Sequence, residues 1–140
     1  MKNTIYICLL LMASFSIGCQ RFEEPKVSLQ ADYTKGEDVI HFYATINDGG
    51  GDEIFTKKGY SFSMHNHPSA LDRDSESVLL YHPRKQWYFD WNIYISQSNF
   101  VKDSSYYYVA WAQTNAGTGY SNIIEVKVDS IGTGISIIKH

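Results

Sequence analysis

Cysteine is almost missing from this 140-residue chain: Cys8 and Cys19 are the only two. Both fall before residue 20, so the body of an exported chain would have no disulfide to staple it and must rest on a hydrophobic core. Sustained helical periodicity is also missing from residue 27 onward, which excludes a helix bundle. A basic excess is missing too. Twelve Lys and Arg face fifteen Asp and Glu, for a formal charge of −3, and that balance argues against nucleic acid or an anionic membrane surface as partner. Catalytic patterns fare no better. There is no HExxH, and "GYSFS" at 59–63 lacks the final glycine and following helix of a nucleophile elbow. The carboxylates are scattered through loops and Asp90 stands alone on its strand, so no acid/base pair emerges. We expect no enzyme and no cofactor.

Metal ligands are equally sparse. "HNHP" sets His65 and His67 two apart, a spacing that can place both on one strand face, and Asp72, Asp74 and Glu76 follow in "DRDSE". The glycine and spacing of a calcium loop are missing, and no third histidine is close. The segment reads as a solvated polar loop, and no metal is expected.

What is present begins with an address. Lys2 precedes "TIYICLLLMASFSIG", an apolar run at 4–18 that is short for a membrane span. It ends in "SIGC", Ser16 to Cys19, which resembles the lipobox read by bacterial lipoprotein signal peptidase. The resemblance implies that Cys19 is acylated and becomes the first mature residue, with Ser16 where leucine is usual. Ordinary secretion with an unmodified Cys19 is the other fate. Removing residues 1–18 leaves 140 − 18 = 122 residues, the size of one domain. Only Lys2 is lost among charges, so the mature chain carries 11 − 15 = −4. "QRFEEP" at 20–25 resembles the acidic surface-export tag of Gram-negative lineages, and it equally reads as a solvated tether with two charges. The expected location is the outer membrane, lipid-anchored, with surface exposure favoured and the leaflet left open.

From residue 26 the pattern is that of strands. In "DVIHFYATIND" one parity carries Ile40, Phe42, Ala44 and Ile46 while His41, Tyr43, Thr45 and Asn47 fill the other. "NDGGGD" then reads as a glycine turn. "KKGYSFSM" sets Tyr60, Phe62 and Met64 against Gly59, Ser61 and Ser63, and a short apolar "VLLY" follows the polar loop. "WYFDWNIYI" aligns Trp87, Phe89, Trp91, Ile93 and Ile95, so Trp87 and Trp91 are expected in the core. "NIIEVKV" aligns Ile124, Val126 and Val128. About seven short antiparallel strands with turns between them predict an all-β sandwich over 26–128. Residues 129–140 read as a glycine-interrupted tail in which Ile135, Ile137 and Ile138 can add a strand. Asp129 to Ile131 matches a three-residue O-glycosylation pattern of some surface-lipoprotein lineages.

"FVKDSSYYYVAWAQTNAGTGYSN" at 100–122 resembles, without gaps, the end of fibronectin type III-like domains in bacterial surface lipoproteins. "GGGDEIFTKKGYSFS" at 49–63 is similar to the second-to-third-strand region of the same family. Lys102 replaces a common proline and Val109 a common arginine. The resemblance implies a single immunoglobulin-like sandwich in which Tyr106 is the tyrosine-corner residue, its ring buried and its hydroxyl bonded to nearby backbone. By the same alignment Tyr108, Ala110 and Ala112 point inward, and Tyr107, Val109 and Trp111 point outward beside Ile123. Gly59, Ser61 and Ser63 would leave those rings uncovered.

Such an outer face would be an aromatic platform. Pyranose C–H faces stack on Trp111 and Tyr107, while Ser61, Ser63 and Gln113 bond hydroxyls. Packing of Trp111 against the loop at 65–76 or the tail is the alternative. The expected function is a lipid-anchored, non-enzymatic binding or spacer module of the envelope, with polysaccharide as one ligand class. The rival is a protein-interaction component, a pilus or adhesin subunit or an inhibitor, working through exposed strand edges.

Overall fold

In the computed structural model, which describes residues 22–51, 54–65, 68, 76–79, 86–129 and 134–140, the alternating stretch after Asp38 becomes β2 (Val39–Asp48). Ile40, Phe42, Ala44 and Ile46 are all buried, as their shared parity predicts. β2 pairs antiparallel with β1 (Lys26–Thr34) on one side and β5 (Tyr88–Tyr94) on the other, closing a three-stranded sheet. The facing sheet runs in the order β4 (Glu76–Leu79), β3 (Lys57–Ser63), β6 (Ser105–Thr114), β8 (Ile124–Val128) and β9 (Ile135–Lys139), and β7 (Gly117–Tyr120) hairpins onto β6. All strand pairs are antiparallel. Beyond these the described residues add one 3-10 turn, Ile95–Gln97, and no α-helix. The chain is an all-β sandwich.

Aromatic rings fill the space between the sheets. Phe42 lies 4.7 Å from Tyr108 and Tyr60 5.2 Å from Phe89, centroid to centroid. Tyr60 is fully buried, yet its hydroxyl is not orphaned: it donates towards the carbonyls of Phe89 at 3.0 Å and Phe42 at 3.4 Å. That ties β3 to both β2 and β5 across the core. Burial and the nearby Asp90 push its hydroxyl pKa far up, so it stays a donor. Ala110 and Ala112 are buried opposite, small enough to admit these rings. At the far end of the same face, Lys58 is buried with its ammonium on the Gln86 carbonyl at 2.7 Å and near the rings of Phe55 and Phe89. Desolvation there holds its pKa below the usual lysine range.

Two expectations need correction. Trp87 is not core: it precedes β5, is 38% exposed, and sets its ring edge-on to Phe55 at 5.2 Å. Its parity matches Phe89 and Ile93, but it lies where the facing sheet has run out. Met64 likewise shares the parity of Tyr60 but is exposed just past the end of β3. Trp91 is half-buried and packs against Phe42, Tyr60, Phe62 and Tyr108. The segment read as a tail, 129–140, contains β9: Ile135 and Ile137 pack on the core while Ile138 faces out.

The registers place the described strand ends at two ends of the sandwich. Lys26 pairs with Asp48, Thr45 with Tyr88 and Lys57 with Gln113, so the chain's approach to β1, the glycine turn, the start of β5 and the β6–β7 hairpin share one end. The Glu23 amide donates to the Gly50 carbonyl at 2.9 Å there. Gly50 has φ +68°, and the Glu23 carbonyl occupies the place of a side chain at Gly50. Only glycine fits both demands. The β1–β2 turn, the start of β4, the 3-10 turn, the end of β8 and the start of β9 share the opposite end.

Candidate binding cleft

At the end away from the Glu23 segment the two sheets part along one side, between β5 and β3–β4. The segment after the 3-10 turn crosses this gap. Its conformation is held by Tyr106, whose hydroxyl accepts the Val101 amide at 2.8 Å. Phe100 stacks edge-on to Tyr106 at 4.8 Å and 71°, and Asp103 takes φ +57° in the turn between them. This is the backbone-bonded tyrosine expected at position 106, half-buried rather than swallowed.

The result is a cleft of about 330 Å³ walled by the rings of Phe62, Trp91, Phe100, Tyr106 and Tyr108, with Ile93 behind them. Glu76, Ser98 and Asn99 supply the polar rim. An adjoining hollow of about 430 Å³ shares Phe62, Glu76 and Tyr106 and extends past Ser63, Met64 and His65. Phe62 and Tyr108 stack at 5.5 Å and 23°. Burial, helped by Tyr106 and Glu76 nearby, pushes the Tyr108 hydroxyl pKa well above its ordinary value, so it remains neutral at any physiological pH. Glu76, the first residue of β4, is exposed. Its carboxylate is the one formal charge on the cleft wall among the described residues, so anions are disfavoured. Apolar ring faces with hydroxyl and carboxylate acceptors at the rim suit a neutral polyhydroxylated ring.

The platform expected on the outer face of β6 is not open. Ser61 is 0% exposed, its hydroxyl 2.7 Å from that of Ser77 on β4, and Ser63 is buried with its hydroxyl accepting the His65 amide. Trp111 is 6% exposed and Val109 buried. The Val78 carbonyl sits where a side chain at Gly59 would be, and the Trp111 ring comes within 3.1 Å of that same position. The small residues of β3 therefore make room for β4 and for the indole. The Trp111 Nε1 is buried without a hydrogen-bond partner among the described residues. Tyr107, Gln113 and Ile123 are half-buried, and Tyr107 tilts against His140 at 6.4 Å. These residues do not converge on a ligand-sized opening.

Tyr108 is core, as its parity predicts, whereas Phe62 and Trp91 share that inward parity but are only partly buried, and sequence reasoning missed their open edges. Cys8, Ser16 to Cys19, His67, Asp72, Asp74, Ser130 and Ile131 lie outside the described residues.

No protein-family model, curated protein or solved structure matches the chain.

Proposed function

We propose that this is a lipid-anchored envelope protein whose one sandwich, of fibronectin type III-like type, is a non-enzymatic binding module for a neutral saccharide. The observation that carries the reading is the cleft: five aromatic rings with Glu76, Ser98 and Asn99 along the rim. The family assignment draws support from the Tyr106–Val101 bond and from a three-stranded sheet, β1-β2-β5, facing β4-β3-β6-β8. The anchor rests on "SIGC" and the apolar run before it. Calorimetric titration with neutral oligosaccharides of glucose, mannose and galactose tests the ligand class. Binding that weakens in Glu76→Gln and Asn99→Ala, both exposed positions, supports it. Saccharide affinity unchanged in both variants, or none in the wild type, rejects it.

A second reading has its own observation. A groove of about 670 Å³ runs between β1 and β9, lined by Gln30, Asp32, Tyr33, Ile135, Ile137 and Lys139. Edge strands on either side of such a groove are the geometry for strand addition by a protein partner. Cross-linking through cysteines placed at Gln30 and Lys139 would trap such a partner, and monomeric, partner-free protein would count against it.

A further inference from the structure

The end of the sandwich where the chain enters carries apolar side chains that the core does not use. Phe22 is 55% exposed, Ile54 45% and Trp87 38%. Phe22 is placed beside Gly51, and Trp87 against Phe55, the residue after Ile54. The Phe22 ring lies 3.5 Å from where a side chain at Gly51 would begin, and Glu23 is bonded to Gly50. Ile54 lies three residues after Gly51 and precedes Phe55, on whose ring Trp87 rests edge-on. Trp87 is fixed by its own carbonyl, which accepts the Ile46 amide at 2.7 Å. Tyr88, 64% exposed, adjoins it. Backbone bonds at Glu23 and Trp87 fix the chain at Phe22 and Trp87, so the exposure of those two rings is built into the fold.

We propose that this end is a membrane-contacting surface that seats Phe22, Ile54 and Trp87 in the interfacial zone of the bilayer holding the N-terminal segment. The inference rests on the membrane attachment put forward above. The occupant follows from chain length. Cys19 stands three residues before Phe22, and three extended links reach at most ~11 Å. A chain tethered by Cys19, or by the apolar run that ends at Gly18, therefore cannot lift Phe22 far from the headgroups. Tryptophan and tyrosine favour that zone because one part of the ring is apolar and the other bonds water. Glu23 and Glu24, both exposed, sit beside the patch, so the attraction is apolar and an uncharged lipid surface is preferred over an anionic one. The arrangement also orients the molecule. The aromatic cleft lies at the opposite end, one strand length or ~25–30 Å away, and so opens away from the lipid.

The test uses the full chain reconstituted in phosphatidylcholine vesicles with and without brominated acyl chains, reading tryptophan fluorescence. The bromolipid-dependent quenching should be largely lost in Trp87→Phe, which leaves Trp91 and Trp111 as silent reporters. It should also fall in the double variant Phe22→Ser/Ile54→Ser, which keeps Trp87. Quenching equal in wild type and Trp87→Phe, or absent in both, overturns the proposal. Intact mass at Cys19, measured on the same sample, separates the two ideas. An unmodified cysteine with Trp87 still quenched removes the acyl anchor and keeps the surface; an acylated one without quenching does the reverse.

Discussion

Asn122 grips the edge of the opposite sheet at Leu29: the Leu29 amide donates to the Asn122 Oδ1 at 2.9 Å, and the Asn122 Nδ2 donates to the Leu29 carbonyl at 3.1 Å. A side-chain amide thus does for β1 what a neighbouring strand would do, pairing both backbone groups at one position of an open edge. Asn122→Ala leaves an N–H and a C=O without these partners beside a fully buried leucine. A loss of about 1–3 kcal/mol is expected, with faster hydrogen exchange at Leu29 than at Phe42. Urea unfolding and amide exchange read the two effects. An unchanged midpoint would show that β1 is held by packing alone.

Gly59 and Trp111 form a second such pair. They face each other in register on β3 and β6, and any side chain at 59 meets both the Val78 carbonyl and the indole. Gly59→Ala should cost ~3 kcal/mol, the upper end of overpacking penalties. Trp111→Ala should cost ~3–5 kcal/mol, as for a core aromatic. Thermal unfolding checks both, and a Trp111→Ala protein as stable as wild type would restore the indole to the surface.

Tyr106→Phe removes only the hydroxyl that accepts the Val101 amide. A loss of about 1 kcal/mol is expected. Because the same bond shapes the Ser98–Phe100 wall of the cleft, saccharide affinity should fall more than stability does. Titration calorimetry beside urea unfolding separates the two.

Acid should loosen the β6–β8–β9 side. The Glu125 carboxylate accepts the Ser105 hydroxyl at 2.6 Å and lies 2.9 Å from the His140 Nε2. The serine bond first, then His140, holds its pKa below the usual carboxylate value. A carboxyl depressed in the folded state contributes stability above its unfolded pKa of about 4.3, and loses it as pH falls through the lower folded value. Unfolding midpoints should therefore drop below that pH, and Glu125→Gln should flatten the drop. Parallel pH profiles for the two proteins would refute the assignment.

Much of the scaffold was legible because period-two alternation is a strong signal wherever one face is buried. Ile40 to Ile46 on β2 and Ile124 to Val128 on β8 follow it without exception. It fails where both faces are covered. On β3, Lys58 to Ser61 are all buried, since the neighbouring β4 and the Trp111 indole crowd the outer side at Gly59, and no local pattern announces a carbonyl resting on Gly59. Parity also carries no information about where a sheet ends, and so Trp87 passes for core. β9 was visible only as isoleucines following the glycines at 132 and 134. The cleft depends on how far β5 stands from β3 and β4, a distance set by tertiary packing.

The most direct test of the proposed saccharide binding in the cleft is amide chemical-shift mapping of the isotope-labelled protein on addition of neutral oligosaccharides. Shifts concentrated at Glu76, Asn99, Phe100 and Tyr106, with Tyr107 and Gln113 still, are the expected result. Shifts on the outer face of β6, or none anywhere, would contradict it.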